Sequence, residues 1–484
     1  MFIISPELLR GLSLKICRII SIFRVLNNTS FCNDTEIFEN EEQSLRLFPV
    51  EQKNIELSFS GERISSDGGL LLLREVNRQI GLIEQISNCI TDNRDQRYID
   101  HTIEELVSQR AYQIAAGYED CNDSDELRHD QILKTCVGRL PQTGKDLGSQ
   151  PTMSRLENSI SWRDLYNIGK AFVSHFMESY SSAPEVIILD CDDTNTNTYG
   201  NQQLTLFNNY YHDHCYMPLH IYEGLSGKLI TTILKPGRRS KQSDVASILK
   251  RLILQIREQW PETRIIIRGD SHFASKDLMD WCDTSAKKVN YITGLAGNSK
   301  LKSSAQVTIE SAEREFKQYG KPVKRYHSFM YKAESWASPK KVVVKVEASA
   351  QGTNIRYIVT NLTQFKAKGL YEKGYCARGA AELRIKEHKL YLKSDRASCT
   401  SFKANQFRLF LHSIAYVLMH TMQKELFKGT ELVNATFKTL QNKIIKTAAW
   451  VKEMKTKIKI EFPKYCPTKE LQARSFQMLG MLVT

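Results

Sequence analysis

The order of elements that begins at Pro184 limits this chain to few architectures. "EVIILDCDD" is an unbroken apolar run that ends in carboxylates, the pattern of a buried strand. "MPLHIYEG" and "GKLITTILKPG" follow as strands bracketing the Gly224–Gly227 turn, and "SDVASILKRLILQIREQWP" is a helix with a serine–aspartate start and a proline stop. "TRIIIRGDSHFA", "SKDLMDWCDTSA" and "NYITGLAG" then supply a strand, a helix and a strand. A meander of strands followed by alternating helices and strands predicts a mixed central sheet flanked by helices, with its acidic residues at adjacent strand ends.

That element order is the one expected of an α/β ribonuclease H-like catalytic core. The core is read in two parts, residues 181–297 and 366–425, separated by a β-rich insertion at 298–365 that contains "KKVVVKVEAS" and "IRYIVTNL". Ahead of it, "DGGLLLLREVNRQIGLIEQI", "HTIEELVSQRAYQIAAGYED" and "SDELRHDQILKTCVGRL" keep a helical period, which makes 55–180 a mainly helical domain. Residues 1–54 form an N-terminal extension and 426–484 a basic region read as helical. In "SFKANQFRLFLHSIAYVL", Phe407, Phe410, Leu411, Ile414, Val417 and Leu418 recur at core-facing spacing.

Charge narrows the function. Sixty-seven Lys and Arg against 54 Asp and Glu give a formal net charge of +13, which favours a polyanionic partner such as nucleic acid. The excess is concentrated in "LKPGRRSKQ", "KKVVVK" and "KTAAWVKEMKTKIK", as a surface that tracks phosphates requires. The helical domain at 55–180 is read as DNA-binding, with a docking scaffold as the alternative. Eleven cysteines contain no CxxC pair, so they read as reduced thiols of an intracellular protein. "YYHDHCY" brings His212, His214 and Cys215 close in sequence, yet no second ligand pair stands at metal spacing and the stretch reads as structural. Arg10, Lys15, Arg18 and Arg24 interrupt the apolar N-terminus, which argues against a signal peptide, and no run of about 18 uncharged apolar residues argues for a membrane span.

Carboxylates mark the candidate chemistry. In "LDCDDT" strand alternation places Asp190 and Asp192 on one face and Asp193 on the other. In "RGDSHF" Asp270 follows a glycine at the end of the second strand. Within "YCARGAAELRIKEHK", Tyr375, Arg378, Glu382 and Lys389 lie at steps of three, four and seven, so one helix face would carry all four. If the strands are neighbours, Asp192 and Asp270 converge, and a helix laid across the same edge adds Glu382. Three such carboxylates repel unless cations neutralise them, and hard oxygen donors without sulfur or imidazole point to Mg2+, with Mn2+ as substitute.

These segments resemble the DDE transposases of bacterial insertion sequences, most closely the insertion sequence 1380 family. The likeness runs from "SSDGGLLLLREV" through "LDCDDT", "YYHDHCYMPLHIYEG" and "IRGDSHFA" to "YCARGAAELRIKEHKL" and "SFKANQFRLFLHSIAYVL". It implies catalytic, metal-holding roles for Asp192, Asp270 and Glu382, and DNA-binding roles for Tyr375, Arg378 and Lys389. Asp193 stands where such sequences usually carry a small or apolar residue, which keeps Asp190, Asp192 and Asp193 all open as the first ligand. The resemblance further implies two divalent metal ions, nicking of transposon ends, joining of the 3′-hydroxyl to target DNA, a homodimer on paired terminal repeats, and a cytoplasmic, nucleoid-associated location. A binding-only relative and a nuclease without strand transfer are the alternatives. In the insertion, Trp336 reads as a strand-packing residue, with the stacking of an extruded base as the sharper alternative.

Overall fold

The computed structural model describes residues 45–58, 63–237, 242–284 and 288–480. Nearly all of the N-terminal extension and the centre of "LKPGRRSKQ" lie outside the described residues. The chain divides into two compact units, residues 1–63 and 64–484. In the first, β1 (Leu45–Val50) and β2 (Lys53–Leu57) form an antiparallel hairpin whose turn carries Glu51 and Gln52 at φ of 46° and 68°.

The second unit opens with a short strand, β3 (Ile64–Ser65), and a set of helices: α1 (Leu70–Ile80), α2 (Leu82–Ser87), α3 (Ile103–Ala116), α4 (Gln131–Val137), α5 (Gln150–Ser159) and α6 (Trp162–Glu178). Their ends are encoded locally. Thr102 with Glu105 and Ser161 with Asp164 form capping boxes, and Gly117 stops α3 at φ 95°, a conformation open to glycine at little cost.

The central sheet follows. Its strands are β4 (Val186–Asp193), β8 (Leu219–Glu223), β9 (Leu229–Ile233), β10 (Arg264–Gly269), β11 (Val289–Leu295), β12 (Val323–Tyr331), β13 (Lys340–Ser349) and β14 (Gly352–Thr360), in the order β12-β13-β14-β11-β10-β4-β8-β9. Between β4 and β8, the short strands β5 (Thr196–Asn197), β6 (Leu206–Asn208) and β7 (Asp213–Tyr216) make a separate small sheet. Parallel pairing joins β4 to β10 and β10 to β11, whereas β8, β9 and β14 run antiparallel to their neighbours. Helix α7 (Gln242–Gln259) leads from β9 into β10, and α8 (Lys276–Thr284) connects the parallel pair β10 and β11. This mixed sheet with its helices is consistent with a ribonuclease H-like arrangement.

Residues 298–365 differ from a purely β-rich segment. They begin with α9 (Ser299–Ser304) and α10 (Gln306–Tyr319), and their strands β12 to β14 extend the central sheet through the β11–β14 pairing. Helical period in "SAEREFKQY" overrides the strand reading there. Trp336 is 7% exposed, and its ring meets Tyr331 edge-on at 5.5 Å, so it packs in the core beside the sheet.

After α11 (Gly379–Lys386) comes α12 (Phe402–Thr421), buried along almost its whole length between the helical block and the sheet. Phe407, Phe410, Leu411, Ile414 and Leu418 are core, and Val417 is half-buried. The C-terminal region departs from a wholly helical reading: β15 (Ala449–Glu453) pairs with β16 (Ile458–Glu461) and with β3 before α13 (Lys469–Met478). Apolar Val451 alternates with Trp450 and Lys452, a period of two that suits a strand with one face buried.

Candidate active site

Strand pairing brings the first two carboxylates to one edge. Asp190 lies opposite Arg268 in the parallel β4–β10 register, so Asp192 and Asp270, each two residues further on, come side by side at the carboxyl ends of these strands. Asp270 caps the turn Ser271–Phe273, accepting a hydrogen bond from the His272 backbone N–H at 2.8 Å.

The three aspartates of β4 have different partners. Asp190 is fully buried, and the Arg268 guanidinium grips it through Nε at 2.5 Å and Nη2 at 2.7 Å. Asp193 points the other way, to Lys235 Nζ at 2.7 and 2.8 Å. Asp192 meets Arg378 Nη1 at 2.9 Å, and Nη2 of the same guanidinium reaches Glu382 Oε1 at 3.2 Å. Burial raises the Asp192 pKa to about 7; Arg378 opposes the rise, while the Asp270, Asp193 and Glu382 charges add to it. Asp270 and Glu382 therefore lie within electrostatic reach of Asp192.

The helical run that carries Glu382 is not one regular α-helix. It includes π-turns at Leu370–Tyr375 and Glu387–Tyr391 and a 3-10 turn at Cys376–Arg378 around α11. This corrects the single-face reading, because the turns change the angular step on both sides of Glu382. Arg378 and Glu382 face Asp192. Tyr375 is half-buried against β11, where its hydroxyl stands so close to Gly294 that a Cβ there would lie 3.0 Å from it. Lys389 is parted from the carboxylates: its ammonium donates to the Asn195 carbonyl at 2.6 Å and to Asn195 Oδ1 at 3.0 Å. It lines a cavity of about 320 Å³ with Asn197, Tyr199, Lys393 and Arg396.

Among the described residues no group of three or more His, Cys, Asp and Glu side chains could hold a metal ion as they stand. The donor chemistry nevertheless fits one. Asp192 and Glu382 already share a cation, the Arg378 guanidinium, and all the acidic donors are hard oxygens that suit Mg2+ or Mn2+. In the "YYHDHCY" stretch His212 occupies a turn at φ 52°, Cys215 is buried, and His214 lies edge-on to Phe207.

The family model described as Transposase DDE domain group 1 matches residues 47–484. The chain belongs to this transposase family. No curated protein matches it. Among solved structures, a cryo-EM structure of the piggyBac transposase synaptic complex with hairpin DNA matches at a TM-score of 0.42 and 11% identity, over 78% of this chain and 79% of that one.

Sequence reading of this DDE transposase missed the cations that sort its aspartates: Arg268, Lys235 and Arg384, the last with Nη1 3.7 Å from Asp190 Oδ2. One signal was present, since Arg268 precedes Asp270 by two residues and so shares its side of the strand. Its pairing with Asp190 depends on which strands adjoin. His388, in the π-turn Glu387–Tyr391, belongs to a buried histidine pair with no sequence signature. His220 and His388 are buried with ring centroids 5.0 Å apart, and burial pulls the His220 pKa down to about 3.

Proposed function

We propose that this chain is a DNA transposase that nicks transposon ends and joins the freed 3′-hydroxyl to target DNA at one carboxylate site built by Asp192, Asp270 and Glu382. The observation that carries the reading is the placement of Asp192 beside Asp270 at adjacent parallel strand ends, with Glu382 tied to Asp192 through Arg378. Membership of the DDE transposase family supports it. Affiliation with the insertion sequence 1380 family, a ribonuclease H-like core in two parts, a homodimer on paired ends and association with the nucleoid belong to the same proposal. So do the division at residues 54, 180, 297, 365 and 425 and the DNA-binding role of the helical domain.

When bound, divalent cations on Asp192, Asp270 and Glu382 would supply Lewis acidity to the phosphodiester and its attacking oxygen. In the first displacement a water oxygen bonds to phosphorus and the bond to the 3′-oxygen breaks, which leaves a 3′-hydroxyl on the transposon end. In the second that 3′-oxygen bonds to a target phosphorus and the target's own 3′-oxygen departs with the proton. Asp190 stays paired with Arg268 and keeps β4 and β10 in register. Arg378, once it releases the two carboxylates, offers a planar fork of donors to a non-bridging phosphate oxygen. Lys389 would take a phosphate further along the strand, and Tyr375 would give a neutral hydrogen bond.

The test is cleavage and joining of DNA that carries the element's ends, in Mg2+. Asp192→Asn, Asp270→Asn and Glu382→Gln are expected to abolish both reactions while binding to the ends persists, since phosphate contacts and carboxylate chemistry use different groups. Wild-type cleavage of pre-formed ends without any joined product would identify a nuclease instead. Binding without cleavage by the wild type would identify a binding protein.

A further inference from the structure

The C-terminal region carries a second surface suited to DNA, remote in sequence from the carboxylates. Between residues 452 and 469 the chain has six lysines and two glutamates. Both glutamates are engaged. Glu453 accepts from the Gln142 and Thr143 backbone N–H groups at 2.9 and 3.1 Å, and Glu461 pairs with Lys459 at 2.9 Å. Lys452, Lys455, Lys457, Lys464 and Lys469 are exposed, and none has an ion-pair partner among the described residues.

The arrangement is a two-stranded antiparallel ribbon. Lys452 of β15 stands directly opposite Lys459 of β16, and Trp450 opposite Glu461. Directly opposed residues share a face, so Trp450, Lys452, Lys459 and Glu461 project from the same side, which turns away from buried Val451. Both lysines reach toward the indole: Lys452 Nζ lies 5.7 Å and Lys459 Nζ 5.9 Å from the Trp450 ring centre. Like charges placed directly across a strand pair are destabilising. A polyanion lying on this face would relieve that repulsion. The Met454–Lys457 turn carries two further exposed lysines past the end of the ribbon, and Glu453 anchors its base to the loop after α4.

We propose that the β15–β16 ribbon is a duplex-DNA docking surface, its lysine face set against the phosphates of a groove wide enough to admit a two-stranded ribbon. This rests on the transposase reading and adds a DNA-holding surface built from residues remote in sequence from the carboxylates. Lysines on an edge strand also deter sheet-to-sheet pairing, a role that involves no counterion release, so the salt dependence of binding separates the two roles.

Full-length wild type and the variant K452Q/K455Q/K457Q/K459Q are compared by fluorescence anisotropy on a labelled duplex of about 30 base pairs, some three helical turns, across a salt series. The slope of log affinity against log salt should fall by about 0.9 for each phosphate that is no longer neutralised, hence by about two to four units. The charge-keeping variant K452R/K455R/K457R/K459R should retain the wild-type slope, which distinguishes removal of charge from damage to the fold. A glutamine variant that melts as the wild type does and keeps its slope would overturn the ribbon proposal alone. Wild type that binds no duplex would overturn the transposase reading as well. Tighter binding of the wild type to phosphatidylserine vesicles than to the duplex, abolished in the glutamine variant, would reassign the surface to membranes.

Discussion

Arg378 Nη1 lies 2.9 Å from Asp192 Oδ2, so an arginine side chain occupies the electrostatic position where the carboxylates call for a cation. The same guanidinium touches Glu382, whose side chain is 62% exposed to solvent. Entry of a divalent ion then competes with Arg378.

That competition makes Arg378→Ala informative. In protein without DNA, Mn2+ affinity should rise roughly three- to tenfold, the scale of one partly exposed ion pair. Electron paramagnetic resonance of free Mn2+ measures it. DNA affinity should fall at the same time, because the phosphate donor is gone. Unchanged Mn2+ binding would mean that Arg378 does not oppose the metal.

Asp190 and Asp192 should separate cleanly. Asp190→Ala strands a buried Arg268 and should cost about 3–5 kcal/mol of stability. Asp192 behaves in the opposite way. Its folded pKa of about 7 lies above the ordinary carboxylate value, so its stabilising contribution is complete below about pH 4 and is lost as pH rises through about 7. In EDTA, Asp192→Asn should therefore melt above wild type at about pH 8 and level with it near pH 4. Calorimetry of both variants checks this, and a lower melting temperature for Asp192→Asn at the higher pH would refute it.

The buried histidines set an acid limit. His220, held near 3 by burial, is neutral in the folded state, and it contributes full stability above about pH 6.5 that drains away as pH falls through that value toward 3. At about pH 5 the loss is about 2 kcal/mol for this one group. Neither ring nitrogen of His220 has a hydrogen-bond partner among the described residues, so His220→Phe should be tolerated at neutral pH and should flatten the fall in melting temperature between about pH 7.5 and about pH 5. A fall as steep as that of the wild type would show that other groups dominate.

Trp336 offers no face to an extruded base. Trp336→Ala should cost about 3–5 kcal/mol through the cavity it leaves, with cleavage of both strands equally affected once the loss of folded protein is corrected for. A stable variant with a selective second-strand defect would reinstate the stacking role.

Much of this protein is legible in its sequence. Apolar runs of period two and 3.6 mark β4, β10, α7 and the core face of α12, because periodicity is a local property of the chain. The same runs put Asp192 and Asp270 at strand ends. What the local pattern does not hold is which strands adjoin and which charges pair. Only the β4–β10 register couples Asp190 to Arg268 and leaves Asp192 for Arg378. Only the β11–β14 pairing makes residues 323–360 part of the central sheet, and only the pairing with β3 and β16 turns the basic C-terminal stretch into a ribbon. Apart from the local β15–β16 hairpin, each of these joins segments far apart in the chain. Its strength depends on burial and on opposing charge that exist only once the fold has closed.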